Sequence, residues 1–294
     1  MSRARGDIGL DGFLNVCKPA GLTSHAVVAA VRRLFGTRRV GHAGTLDPLA
    51  AGVLPLALGR ATRLIDRLAE ADKEYYAEAI LGLRTSTDDA AGEVLERRPV
   101  PPFAAAELDA ALAAFEGEIE QLPPRYSALK VAGRRAYDLA REGREVAVAP
   151  RRVTIHEIER CGWDRPVLGF KVRCSKGTYI RALVRDLGER VGVGGSLRRL
   201  VRLRVGPFHL RDALGPEELR TDERDLLLAP DVVILEGPAL VLGEEQLDHV
   251  RHGRPWLSPT AGPPLARAYT VDGRLAGLLT GSGGCWRPKL VFLE

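Results

Sequence analysis

Three observations predict an α+β fold followed by a smaller β-rich part. Strand-like apolar runs alternate irregularly with a few amphipathic segments and show no repeating βαβ unit. After His209 the composition turns acidic, and from Gly237 onward short apolar runs alternate with Gly and Pro, the pattern of a small separate β domain. The length of 294 residues exceeds the usual domain size of about 100 to 200 and leaves room for both parts. A composition of 45% hydrophobic and 28% charged residues argues for a globular chain and against bulk disorder.

The elements follow from local pattern. Gly12 to Val16 suits a short strand ending at Lys18 and Pro19. Thr23 or Ser24 then caps a helix with Val27, Val28, Val31, Leu34 and Phe35 at helical spacing, and Gly36 ends it. From Thr37 to Pro48 the chain is small, polar and Gly-rich, so a loop is expected. Strands are expected at Val53 to Leu58 and Tyr75 to Leu83, a helix at Ala104 to Phe115, and strands near Val153 to Ile158 and Leu168 to Cys174. A helix from Tyr179 to Val191 and a linker helix from Pro216 to Leu228 complete the pattern. The polar, basic segment 121–143 suits an extended lobe over a ligand, or an ordinary surface hairpin.

Charge is unevenly spread. The net charge is +5, yet Leu122 to Arg152 carries eight basic against three acidic residues, and Lys171 to Arg204 carries ten against two. Those stretches hold +5 and +8, which leaves −8 for the rest. Basic segments on an acidic background fit a polyanion track as well as they fit solvated helix faces.

Several chemistries are disfavoured. The four cysteines, Cys17, Cys161, Cys174 and Cys285, form no CxxC pair, so buried free thiols are expected rather than a zinc ribbon or a disulfide frame. The histidines show no HExxH, so no metal site is expected. GHAGT lacks the spacing and lysine of a phosphate-binding P-loop, and VGVGGS at 191–196 follows a helix rather than a strand, which disfavours nucleotide cofactors. No apolar stretch approaches the roughly 20 residues of a membrane span and the first residues have no signal-like core, so a cytoplasmic protein is expected. In the loop, Asp47 precedes Pro48 with glycines at 41, 44 and 52 nearby, so it is either a turn former or a carboxylate projected into a cleft.

Five strings taken together resemble one family. They are NVCKPAGLTS at 15–24, GHAGTLDPLAAGVLP at 41–55, DKEYY at 72–76, PPRYSALKVAGRRAYDLAR at 123–141 and CSKGTYIRAL at 174–183. In this order they resemble the bacterial TruB family, the tRNA pseudouridine-55 synthases, closely from Gly12 to Phe208 and more weakly beyond. The resemblance implies a tail at 1–11 and a catalytic domain at 12–235, with a central mixed or antiparallel sheet and a cleft. It also implies a thumb-like insertion at about 121–152 and a PUA-like RNA-binding domain at 236–294.

The resemblance further implies residue roles, each with a plainer alternative. Asp47 would be the catalytic aspartate, attacking C1′ or taking a proton from C2′. Arg181 would pair with it and favour the ionised form, or simply face solvent. Tyr75 would stack on the base and help remove the C5 proton, with Tyr76 on the opposite face of the same strand. Tyr179 and Leu200 would line the site or serve only the core, and His42 would fill the space left by the flipped nucleotide or be a polar surface residue. Lys18 and Pro19 would buttress the loop, and Arg134, Arg135 and Arg141 of the thumb would contact RNA. Isomerisation involves neither redox change nor net hydrolysis, so no cofactor is implied. The implied partner is the tRNA T stem-loop, met by a monomer without guide RNA or helper protein. Assistance of tRNA folding through the same cleft is the rival non-catalytic role.

Overall fold

In a computed structural model the described residues are 10–124, 126, 130–131, 134–135, 149–219, 226–258, 262 and 264–293. The chain opens with β1 (Gly12–Lys18), α1 (Ser24–Phe35), β2 (Val40–His42), β3 (Ala51–Leu58) and α2 (Ile65–Glu70). There follow β4 (Lys73–Leu81), β5 (Leu83–Thr85), β6 (Val94–Arg97), α3 (Ala105–Ala113) and β7 (Gly117–Gln121). The two-residue strands β8 (Lys130–Val131) and β9 (Arg134–Arg135) pair with each other, and β10 (Arg151–Asp164), β11 (Val167–Cys174), α4 (Ile180–Arg190), β12 (Gly195–Val205) and β13 (Phe208–His209) complete the first part.

One nine-stranded mixed sheet dominates, in the order β1-β3-β12-β4-β11-β10-β7, with β2 on β3 and β13 on β12. Every pairing in it is antiparallel except β3 with β12. The continuous apolar run of β3 has a physical cause, burial on both faces. Leu54, Leu56 and Leu58 enter the core beneath α1 and α4, while Val53 and Ala57 face a second cluster with Phe13, Val205 and Phe208. Fully burying each such leucine contributes about 1.5–3 kcal/mol.

α1 is capped as its sequence suggests: Thr23 accepts a hydrogen bond from the Ala26 N–H, and Gly36 closes the helix at φ +63°. Its buried stripe is Val27, Val28 and Val31. The free edge of β1 is covered by the returning chain, through Leu214 against Asn15 and Cys17 and Leu228 against Phe13.

The smaller part holds β14 (Ala239–Val241), α5 (Glu244–Arg251), β15 (Trp256–Leu257), β16 (Ala266–Tyr269), β17 (Leu275–Ser282) and β18 (Cys285–Val291), with its strands in one five-stranded sheet. Its own core centres on Trp286, Leu247 and Val250, but Leu265, Leu278 and Phe292 join the cluster around Phe13 and Phe208. The two sheets therefore share apolar packing.

Four expectations need correction. The linker helix over 216–228 is absent from its described residues: Pro216–Glu218 forms a single 3-10 turn, and Leu228 bridges to Phe13 in extended form because the β1 edge recruits it. The loop from Thr37 to Pro48 contains β2, recruited by β3. The strand from Tyr75 to Leu83 breaks at Gly82, whose φ of +76° lies in the left-handed region. Of the four cysteines only Cys174 is buried, Cys17 and Cys285 are half-buried, and Cys161 is exposed on the long strand β10. Among the described residues no cluster of His, Cys, Asp or Glu could hold a metal, and no helix is long and apolar enough to cross a membrane.

Candidate active site

The loop between β2 and β3 is fastened at both ends. Ser24 of α1 is buried, and its hydroxyl donates to the Leu46 carbonyl at 3.0 Å and accepts from the Leu46 N–H at 2.9 Å. Gly52, at φ +105°, lies against β12 so closely that a Cβ there would meet the Arg202 carbonyl oxygen at 2.3 Å. A glycine is thus required where the parallel pair β3–β12 begins. Between these anchors Asp47 stands at the mouth of a cleft of about 300 Å³, its side chain 41% exposed.

The cleft brings together Asp47, Tyr75, Tyr179, Arg181 and Leu200. Arg181 sits in the first turn of α4 and points inward, 5% exposed, so the solvent-facing alternative fails. Its Nε lies 2.9 Å from Asp47 Oδ2 without the alignment of a hydrogen bond, so the contact is an ion pair. The same guanidinium donates to the Thr87 carbonyl at 3.0 Å and the Tyr126 carbonyl at 2.8 Å, and lies 3.6 Å from Asp89.

Tyr75 lies on the inner face of β4 and Tyr76 on the outer face, where its hydroxyl donates to Glu78 at 3.3 Å. Leu200 lines the cleft and also belongs to the main core. Tyr179 immediately precedes α4 with its ring beneath the Arg151 guanidinium, 5.9 Å from the centroid. His42 is half-buried on β2 and does not line the cleft. Lys18 is wholly buried behind the loop, its ammonium donating to the Pro19 and Leu22 carbonyls at 2.9 and 2.7 Å. Burial lowers its pKa to about 8, with Asp47 acting in the opposite sense. For Arg134 and Arg135 only the strand backbone is described, and Arg141 lies outside the described residues.

Three residues of the site escape a reading of sequence alone. Arg202 belongs to the basic stretch Lys171 to Arg204 and lines the cleft, yet its side chain is almost wholly buried. Its Nε donates to the Val53 carbonyl at 2.7 Å and one terminal nitrogen donates to the Gly44 carbonyl at 3.1 Å. One cation thereby ties β12 to the Asp47 loop and to β3, with the Tyr75 phenol within its electrostatic reach. Burial pushes the Tyr75 phenol pKa up, and Arg202 opposes the rise. The signal was period two along β12, since Leu200 facing inward takes Arg202 with it. Lys73 is likewise buried beside the cleft, bonded to the Ala69 and Ala71 carbonyls, and burial lowers its pKa to about 8. Asp89, held by the Thr87 hydroxyl and the Ala91 N–H, reaches Arg181 from a turn whose sequence carries no distinguishing pattern.

Residues 32–180 match the model of the TruB family pseudouridylate synthase N-terminal domain. The chain belongs to the TruB family. It is 47% identical to tRNA pseudouridine synthase B of Moorella thermoacetica over 283 residues, covering 91% of this chain and 92% of the relative. The corresponding protein of Thermobifida fusca is 46% identical over 290 residues, covering 96% and 98%. Among solved structures, a chain of a Cbf5-Nop10-Gar1 complex superposes with a TM-score of 0.71 at 26% identity, covering 97% of this TruB-family chain and 86% of the other. A chain of an H/ACA RNP bound to a substrate RNA containing 2′-deoxyuridine gives the same TM-score at 24% identity and shows the shared fold.

Proposed function

We propose that the chain converts one T-loop uridine of tRNA, position 55, to pseudouridine, with Asp47 at the reacting centre. The observation that carries this reading is the Asp47 carboxylate, paired with the buried Arg181 and facing the same cleft as Tyr75 and Leu200. Relatives of nearly equal length named tRNA pseudouridine synthase B support the substrate.

The reaction breaks the bond between ribose C1′ and base N1, turns the uracil, joins C1′ to C5, moves the C5 proton away and returns a proton to N1. An ionised carboxylate beside the sugar serves either as nucleophile at C1′ or as base at C2′. Arg181 pairs with that carboxylate and aims it. Tyr75 stacks on the flipped base and helps remove the C5 proton, and Leu200 and Tyr179 pack around the base. His42, just before the loop, fills the gap in the T loop, and the stacking contacts offset the cost of unstacking. Lys18 supports the loop from behind.

Residues 12–235 form the catalytic part and 236–294 the PUA-like part. Arg134, Arg135 and Arg141 hold RNA phosphates, and the purified protein works as a monomer without guide RNA, partner protein or cofactor. The test is site-resolved pseudouridine mapping on unmodified tRNA transcript with chelator present, beside Asp47→Asn. Modification of the single T-loop uridine by wild type alone is expected. No modification by either protein despite tight tRNA binding would overturn the proposal in favour of an RNA-binding protein.

A further inference from the structure

The chain entering α4 is held by a side chain from another part of the fold. Gln121, the last residue of β7, has no solvent exposure. Its Oε1 accepts a hydrogen bond from the Tyr179 N–H at 2.7 Å, and its Nε2 donates to the Tyr179 carbonyl at 3.1 Å. A primary amide offers donor and acceptor side by side without charge, which matches the N–H and C=O of a single extended residue. Tyr179 is extended, at φ −100° and ψ 109°, and its own side chain makes no capping bond to α4. Two residues further on is Arg181.

The surroundings reinforce the same junction. Arg151 is the β-sheet partner of Gln121 in β10, and its guanidinium lies over the Tyr179 ring, so one strand pair holds that residue by main chain and by ring. Just beyond Gln121, the Leu122 carbonyl accepts from Arg185 at 2.9 Å and the Tyr126 carbonyl from Arg181 at 2.8 Å. Gln121 itself does not line the cleft.

We propose that Gln121 is a positioning residue for the reaction: its amide clamps the Tyr179 main chain and so sets where Tyr179 and Arg181 stand relative to Asp47. The inference rests on the pseudouridine-forming reading above. Near-attack geometry is steep in distance, and a displacement of about 1 Å costs on the order of 10²-fold in rate. Releasing the clamp therefore acts on the chemical step and leaves RNA affinity alone.

Gln121→Met keeps the length of the side chain and removes both polar groups, while Gln121→Glu keeps the acceptor for the Tyr179 N–H. Each is compared with wild type by thermal melting, by affinity for unmodified tRNA, and by the single-turnover rate of pseudouridine formation with enzyme in excess. The expected result is cooperative melting, a Kd within about threefold of wild type, and a rate lowered on the order of 10²-fold in Gln121→Met and less in Gln121→Glu. A wild-type rate in Gln121→Met overturns the clamp. So does a drop in affinity that parallels the drop in rate, or failure of both variants to fold, since either makes Gln121 a residue of the general framework. A wild-type protein that forms no pseudouridine overturns the underlying reading instead, and is told apart because the variants are scored only against an active parent.

Discussion

Replacing Arg181 by methionine is expected to destabilise the fold by about 3–5 kcal/mol and to abolish turnover, and the two losses come from different carboxylates. At an effective dielectric constant of 20, unit charges at the 2.9 Å separation of Arg181 and Asp47 attract by about 6 kcal/mol, and at the 3.6 Å of Arg181 and Asp89 by about 5 kcal/mol. The two carboxylates differ in exposure, 41% for Asp47 and 10% for Asp89. Water can solvate Asp47 once the guanidinium has gone, so its share of the stability falls towards the roughly 1 kcal/mol of an exposed pair. Asp89 is left as a nearly buried unpaired charge and carries most of the loss. In Arg181→Met/Asp89→Asn that charge is removed, and an Asn oxygen can still accept from the Thr87 hydroxyl and the Ala91 N–H that hold Asp89 now. The double variant should recover about 2 kcal/mol or more of unfolding free energy while remaining inactive. Urea unfolding and single-turnover pseudouridine assays measure the two quantities separately. A loss below about 1 kcal/mol in Arg181→Met, or a double variant no more stable than the single one, would refute the division of labour.

Tyr75→Phe keeps the ring and loses the hydroxyl, so tRNA affinity should persist while single-turnover rate falls; an unchanged rate makes the hydroxyl irrelevant. Replacing Arg134, Arg135 and Arg141 together should weaken tRNA binding and flatten the slope of log K against log salt by about 0.7–0.9 for each phosphate no longer neutralised, and an unchanged slope removes these residues from the interface. Lys73 releases its proton near pH 8 in the folded chain but near the ordinary 10.5 when unfolded. Its burial cost is full below pH 8 and is relieved between those values, where the unfolded state binds more protons. Wild type should therefore gain stability relative to Lys73→Met as pH rises from 7 to 9.5, and equal pH dependence in urea titrations would contradict the assignment.

The alternation of Tyr75 and Tyr76 on one strand, the cap and end of α1, and the loop around Asp47 were all legible from local pattern, because neighbours in sequence decide them. The meeting of Asp47 with Arg181 was not, since it depends on a loop after β2 and a helix after β11 reaching the same point. Family resemblance implied that pair, and the geometry places the two side chains in contact. Arg202 shows the opposite failure. Counted among the basic residues it suggested RNA, whereas two carbonyls recruit it into the interior, and residue type alone cannot reveal partners that far away. Leu228, at the end of the helix expected after Pro216, was misread for a related reason, because β1 offers it an unpaired edge.

The parallel contact between β3 and β12 also shapes how the protein can be made. Arg202 and the Val53 carbonyl it holds are separated by 149 residues, so at about 5–20 residues per second the Ala51–Gly52 end of β3 waits roughly 7–30 s for its partner during synthesis. Throughout that interval an apolar strand is open to wrong pairing with other nascent chains. Because Arg181 and Arg202 both emerge late, a half-made chain cannot assemble the cleft and so cannot engage a uridine it is unable to convert.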